Sequence, residues 1–168
     1  MAFFTPAVIT QGYSYVCGSE NPCGLHIVPS YDLEANLVRA DMVLPPDPAL
    51  LPLASWPSHV HPGIVISLVD EVVGSLALLK AGYRAVVTAN INLSMHAPVP
   101  WGRHLRLQGR LTAQEGRKLF TSCRLLEVSN GALLVSGRML FVILSEEKAS
   151  AMPGNITPEG ASPQDSAP

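Results

Sequence analysis

An α+β architecture is predicted, with a curved antiparallel sheet wrapped around one long central helix. Three observations carry this prediction. The stretch His59–Lys80, HVHPGIVISLVDEVVGSLALLK, has apolar residues around almost its whole circumference, so its helix must have protein on most sides. Residues Arg84 to Val99 alternate apolar and polar side chains with a period of two, the mark of a strand. Three more strand-like segments follow, divided by Glu115–Gly116 and Asn130–Gly131, which reads as an antiparallel meander.

The elements can be justified in order. Residues 1–24 are rich in turn formers and form a leader, with GSENPCG as its clearest turn. Leu25–Asp32 and Glu34–Leu44 read as two short strands of a hairpin. The segment PPDPALLPLASWPSHVHP carries six prolines, a density that no regular element survives, and is a stiff loop. The helix is expected to begin at Pro62 or Gly63, where proline suits the first turn, and to end near Lys80 and Gly82. In the next strand Val87, Ala89, Ile91, Leu93 and Met95 share one face. Thr88, Asn90, Asn92, Ser94 and His96 share the other. Arg103–Gln114, Arg117–Ser129 and Ala132–Leu144 complete the sheet. Residues 1–144 therefore make one domain, and 145–168, with four prolines and few apolar anchors, read as a disordered tail.

Composition narrows the function classes. The 168 residues are 48% hydrophobic and 14% charged, with a net charge of −2. No basic excess exists to neutralise a phosphate backbone, which argues against nucleic-acid binding. Three cysteines, Cys17, Cys23 and Cys123, form no CxxC pair, so neither a disulfide framework nor a zinc site is expected, and no cofactor is implied. The run Ile64–Leu79 approaches the length of a membrane span but holds two acids, two serines and a glycine, which suits a buried helix better. The first residues lack the pattern of a signal peptide, and a cytoplasmic location is expected.

The feature that points to chemistry is the pair Asp70–Glu71 inside the apolar helix. A carboxylate on such a helix has a destabilised charged form, so its basicity is expected to rise. It can then activate water or attack an acyl carbon directly. Glu71 points roughly 100° away around the helix and is expected to pair with a strand arginine.

Three segments resemble the hotdog-fold acyl-CoA thioesterases of the phenylacetic-acid-pathway type. CGSENPCGL resembles the family leader at Cys17, Gly18, Asn21, Pro22, Gly24 and Leu25. HPGIVISLVDEVVG keeps the family's His61, Gly63, Leu68, Asp70 and Gly74. TANINLSMHAPVPWG keeps Thr88, Pro98 and Gly102. The resemblance covers about Cys17 to Leu144. It implies a homodimer whose sheets join side by side, with dimers able to pair into tetramers and two active sites at the interface. It also implies hydrolysis of thioesters of CoA or acyl carrier protein, with Asp70 as general base or nucleophile. Gly74 and the polar groups Asn90 and His96 become candidate substrate contacts. His61 would shape the turn before the helix.

This sequence departs from that pattern in two places. Pro62 stands where the family has a glycine whose N–H serves as oxyanion donor, and proline has no N–H. The donor must move to Gly63, or the hole is weakened, at a cost of roughly 10²–10³ in rate for one lost donor. Six residues before His61, where related enzymes place an Asn or Gln to position water, stands Ser55. Two other functions therefore compete with hydrolysis: another hotdog reaction, such as a dehydratase, isomerase or cyclase, and a non-catalytic acyl binder. The distance of Asp70 from Gly63 differs from the dehydratase spacing and favours the thioesterase branch.

Overall fold

The computed structural model describes residues 3–10, 12–46 and 58–151. The chain runs α1 (Ala7–Thr10), β1 (Ser30–Asp32), β2 (Leu37–Val43), α2 (Pro62–Lys80), β3 (Val86–Met95), β4 (His104–Glu115), β5 (Lys118–Glu127), β6 (Leu133–Ile143) and α3 (Glu146–Ser150). Six strands form one sheet in the order β1-β2-β4-β5-β6-β3, with every neighbouring pair antiparallel. The sheet curls around α2, which touches β2, β3, β4 and β5.

The core lies between helix and sheet. Leu68, Val69, Val72, Val73 and Leu76 of α2 are fully buried, as are Leu105, Leu107, Leu119 and Leu125 on the facing strands. Each such side chain contributes roughly 1.5–3 kcal/mol by leaving water. Pro62 stands at the first helical position, Lys80 in the last turn, and Gly82 follows at φ +65°, as the sequence predicts. The predicted turns at Gly116 and Gly131 likewise have positive φ, +57° and +70°. The expected hairpin before the helix is present, although its first strand is only three residues long.

One expectation is sharpened and three are corrected. First, α2 has protein on most of its sides, as expected, and is open along one. Gly63, Ile66 and Ser67 are exposed and Asp70 and Gly74 half-buried, and their spacing of three and four residues makes one open stripe. Second, the register of β3 against β6 shifts between Thr88 and Asn90. Thr88 pairs with buried Phe141 and Ile91 with buried Met139, so the extra residue Ala89 puts Thr88 on the helix-facing side with Ile91, Leu93 and Met95. Strict alternation had put it with the asparagines. Third, the tail begins with structure: α3 is capped by Ser145, whose hydroxyl accepts the Lys148 N–H. Residues 152–168 lie outside the described residues.

Fourth, Glu71 pairs with the leader rather than with a strand arginine. Its Oε1 accepts the Ser14 hydroxyl and, at 3.2 Å, the Cys17 N–H. This anchors a leader whose own residues permit the tight course. A side chain at Gly18 would sit 2.4 Å from the Gly12 carbonyl oxygen, and Asn21 caps the next turn through the Cys23 N–H at 3.0 Å. Burial pushes the Cys17 thiol up to about 12, helped by the charge of Glu71.

Burial likewise pushes the Glu71 carboxyl above its ordinary value of 4.5, against the opposing hydrogen bonds from Cys17. The folded chain thus holds this proton more tightly than the unfolded chain does. The resulting stability is fully present below 4.5 and is lost as pH rises through the raised folded value. In Glu71→Gln a neutral amide oxygen accepts the same two hydrogen bonds and this loss disappears. Thermal unfolding across a pH series should show the variant gaining on the parent protein as pH climbs from 4.5. A gap that stays constant contradicts the assignment.

Candidate active site

The N-terminus of α2 is built by His61. Its backbone is extended (φ −60°, ψ 136°), and its side-chain Nδ1 accepts the Gly63 N–H at 3.0 Å. The Ile64 and Val65 N–H groups both reach the His61 carbonyl, at 2.9 and 3.3 Å. Pro62 has no N–H, so every amide of the first turn is accounted for. The Gly63 N–H, the expected relocated oxyanion donor, is therefore engaged by His61. The bond also sets the imidazole's tautomer. A neutral ring that accepts at Nδ1 carries its proton on Nε2.

A cavity of about 400 Å³ opens at this helix mouth, lined by His59, Val60, His61, Pro62, Val65 and residues Met95–Val99. A short bridge ties its two walls: His59 pairs with Pro100, and the Val60 N–H donates to the Val99 carbonyl at 2.7 Å. His96 lines the cavity too, and its Nε2 lies 2.8 Å from the Ser136 hydroxyl. The histidines do not form a metal centre; among the described residues no cluster of His, Cys, Asp and Glu has that arrangement.

Asp70 sits farther along α2. It is eight residues past Pro62, about 12 Å along the helix axis, and does not line the cavity. Its Oδ1 accepts the Thr88 hydroxyl at 2.8 Å. Only the bulge at Ala89 makes this possible. No other described group bonds the carboxylate, so one oxygen is held and the other is open.

The remaining predicted site residues fall elsewhere. Gly74 has a packing reason for its identity: a Cβ there would meet the Phe141 ring at 3.1 Å, so it makes room for that ring and is absent from the cavity wall. Asn90 pairs with Leu140 in the register that faces away from α2, which removes it from the cavity. Ser55 lies outside the described residues. The His61–Gly63 bond is the form the expected turn-shaping role of His61 takes, but sequence reading missed that it engages the Gly63 N–H, and it missed the Thr88–Asp70 bond. The first had a signal in the histidine placed immediately before a helix-starting proline; the second had none, because it depends on a bulge.

A six-stranded antiparallel sheet curled around one helix, with a carboxylate on the helix's open stripe, defines the hotdog class. Comparison with known proteins agrees. Residues 58–131 match the family model of the thioesterase superfamily. Acyl-coenzyme A thioesterase THEM4 of Bos taurus is 35% identical over 98 residues, 58% of this chain and 39% of that protein. THEM4 of Mus musculus is 31% identical over 98 residues, 58% of this chain and 41% of that protein. The chain thus spans about two fifths of the length of these curated relatives. A solved thioesterase superfamily protein is 30% identical with a TM-score of 0.62, covering 73% of this chain and 56% of that one. Another, from Shewanella loihica PV-4, is 28% identical with a TM-score of 0.51, covering 66% and 85%.

The cap makes its own prediction. His61→Ala leaves the Gly63 N–H without its partner and should lower stability by about 1 kcal/mol, measured by urea unfolding. His61→Asn supplies a capping oxygen and should restore most of the loss. Equal stability of the alanine variant and the parent contradicts this role.

Proposed function

We propose that this chain hydrolyses an acyl thioester of CoA, as a homodimer, with Asp70 as general base. The observation that carries the reading is the half-held carboxylate: Thr88 fixes one oxygen of Asp70 and leaves the other to take a proton from water. The hydroxide so formed attacks the thioester carbon, negative charge gathers on the carbonyl oxygen, and the C–S bond breaks to release the thiolate, which takes up a proton. The curated relatives, named acyl-coenzyme A thioesterases, support CoA as the thiol.

Within one chain the carboxylate and the helix mouth are apart, and dimerisation resolves this. β3 is a ten-residue edge strand, long and mostly exposed, and such an edge is a template for another strand. Antiparallel pairing of two copies through β3, centred near its middle, sets the Thr88 end of one strand against the Met95 end of the other. Asp70 of one copy then faces the helix mouth of its partner. The open stripe of α2 lies along this same edge and is covered by the same contact.

The carbonyl oxygen needs a donor, and the sequence has removed the N–H at position 62. The His61 Nε2–H supplies one. The imidazole lines the cavity, and its Nδ1 is held by Gly63, so the ring needs no rearrangement to donate. This preorganisation is what makes such a donor effective.

The test is thiol release from a panel of acyl-CoAs. Asp70→Asn should lower kcat by roughly 10²-fold or more. His61→Asp keeps a capping acceptor but has no proton to donate and should be slow; His61→Asn keeps both groups and should stay near the parent rate. Pro62→Gly restores an N–H and should be faster, and should rescue His61→Asp. Absence of release from every acyl-CoA overturns CoA thioester hydrolysis. Release only from acyl carrier protein reassigns the thiol. Equal rates for the aspartate and asparagine variants at position 61 remove the histidine from the donor role.

A further inference from the structure

The outer face of the sheet, opposite α2, has a charge unlike the rest of the chain. Six of the chain's eleven Lys and Arg residues lie on it by register: Arg39, Arg106, Arg110, Lys118, Arg124 and Arg138. Two carboxylates share that face. Asp41 is held by Arg39 and Arg106, with contacts of 2.5 and 2.6 Å, and these guanidinium groups outweigh its burial and keep its carboxyl below the usual range. Glu115 stands opposite Lys118 in the ladder. Lys118 stands at the end of the face; Arg110, Arg124 and Arg138 lie nearer its middle, and among the described residues none of these three has an ion-pair or hydrogen-bond partner. In a chain of net charge −2, three neighbouring arginines repel one another, and neither carboxylate of the face bonds any of them.

The ladder brings them together. Ser122 is paired with Arg110 on β4 and with Arg138 on β6, so the two arginines flank it at roughly 5 Å on either side. Arg124 follows two residues on, on the same face, paired with Gln108 and Ser136. Two hollows of about 420 and 390 Å³ meet here and share Ser122 and Arg124. The face is therefore indented at the place where the three charges converge.

We propose that this hollow is an anion site for a phosphate-bearing small molecule, a phosphomonoester or a pyrophosphate. Three guanidinium groups and the hydroxyls of Ser122 and Ser136 match a multiply charged tetrahedral anion, whose oxygens accept bidentate contacts; a lone carboxylate would leave most of that charge unanswered. The indentation and the confinement of charge to three residues favour a compact ligand over an extended polyanion. A second copy is a poor occupant, because two such faces stacked together oppose like charges. The site is on the other side of the sheet from Asp70 and His61, so its occupation does not depend on thioester chemistry.

Calorimetric titration with sodium pyrophosphate at low ionic strength tests this. Binding in the submillimolar range is expected. Arg124→Ser should weaken it roughly tenfold or more, and Arg110→Ser and Arg138→Ser should do likewise. Lys118→Ser, on the same face but at its end and opposite Glu115, should leave it unchanged. These side chains are exposed, and matching melting curves will show that the fold is kept. No binding of pyrophosphate, or equal loss in the Lys118 variant, overturns the site. A parallel sedimentation with vesicles containing phosphatidate separates the sources: capture by vesicles without binding of pyrophosphate overturns the small-molecule assignment.

Discussion

The burial of α2 is the constraint on which the rest depends. A helix apolar on most of its surface cannot be covered by a flat sheet, so the sheet must curl around it. That requirement explains the fully buried Leu68, Val72 and Leu76 on the helix and the buried rows of Leu105, Leu107, Leu119 and Leu125 on the strands. The leader closes a further side through Glu71. What stays uncovered is one stripe, and it carries Asp70. The position of the reactive candidate is thus a consequence of how far one sheet reaches around one helix.

The helix start shows how a local rule and a chemical need compete. Proline in the first turn is favourable for the helix because no hydrogen bond is lost there. It is unfavourable for an oxyanion hole that draws on that same N–H. His61 meets both at one place: its Nδ1 satisfies Gly63, and its ring lines the cavity at the helix mouth. The same residue is a cap on one side and a polar group on the other, which explains why capping and catalysis need separate variants to be told apart.

The two faces of the sheet differ as sharply. The inner face is apolar and pays the cost of ordering the chain; the outer face is free of that duty and holds most of the positive charge. Asp41 pairs with two of its six cations, and the ladder places Arg110, Arg124 and Arg138 around one serine. The uneven distribution cannot be read from a net charge of −2, which averages over both faces.

The sequence by itself determined the order of the strands and of α2, the limits of α2 and the three meander strands, because hydrophobic periods of 3.6 and 2 and the Gly116 and Gly131 turns are local properties; it did not show the short helices α1 and α3. It also singled out Asp70 as an acid in an apolar helix. Only the tertiary structure decided what surrounds these residues. One added residue, Ala89, turned Thr88 from the polar face toward Asp70, and period-two reading has no means of seeing a bulge. Gly74 and Asn90 do not line the helix-mouth cavity: Gly74 makes room for the Phe141 ring, and the strand register turns Asn90 away from α2. Glu71 found Ser14 and Cys17, fifty-odd residues away, where charge alone had suggested an arginine. Local pattern sets which elements form; packing across the sheet sets which side chains meet.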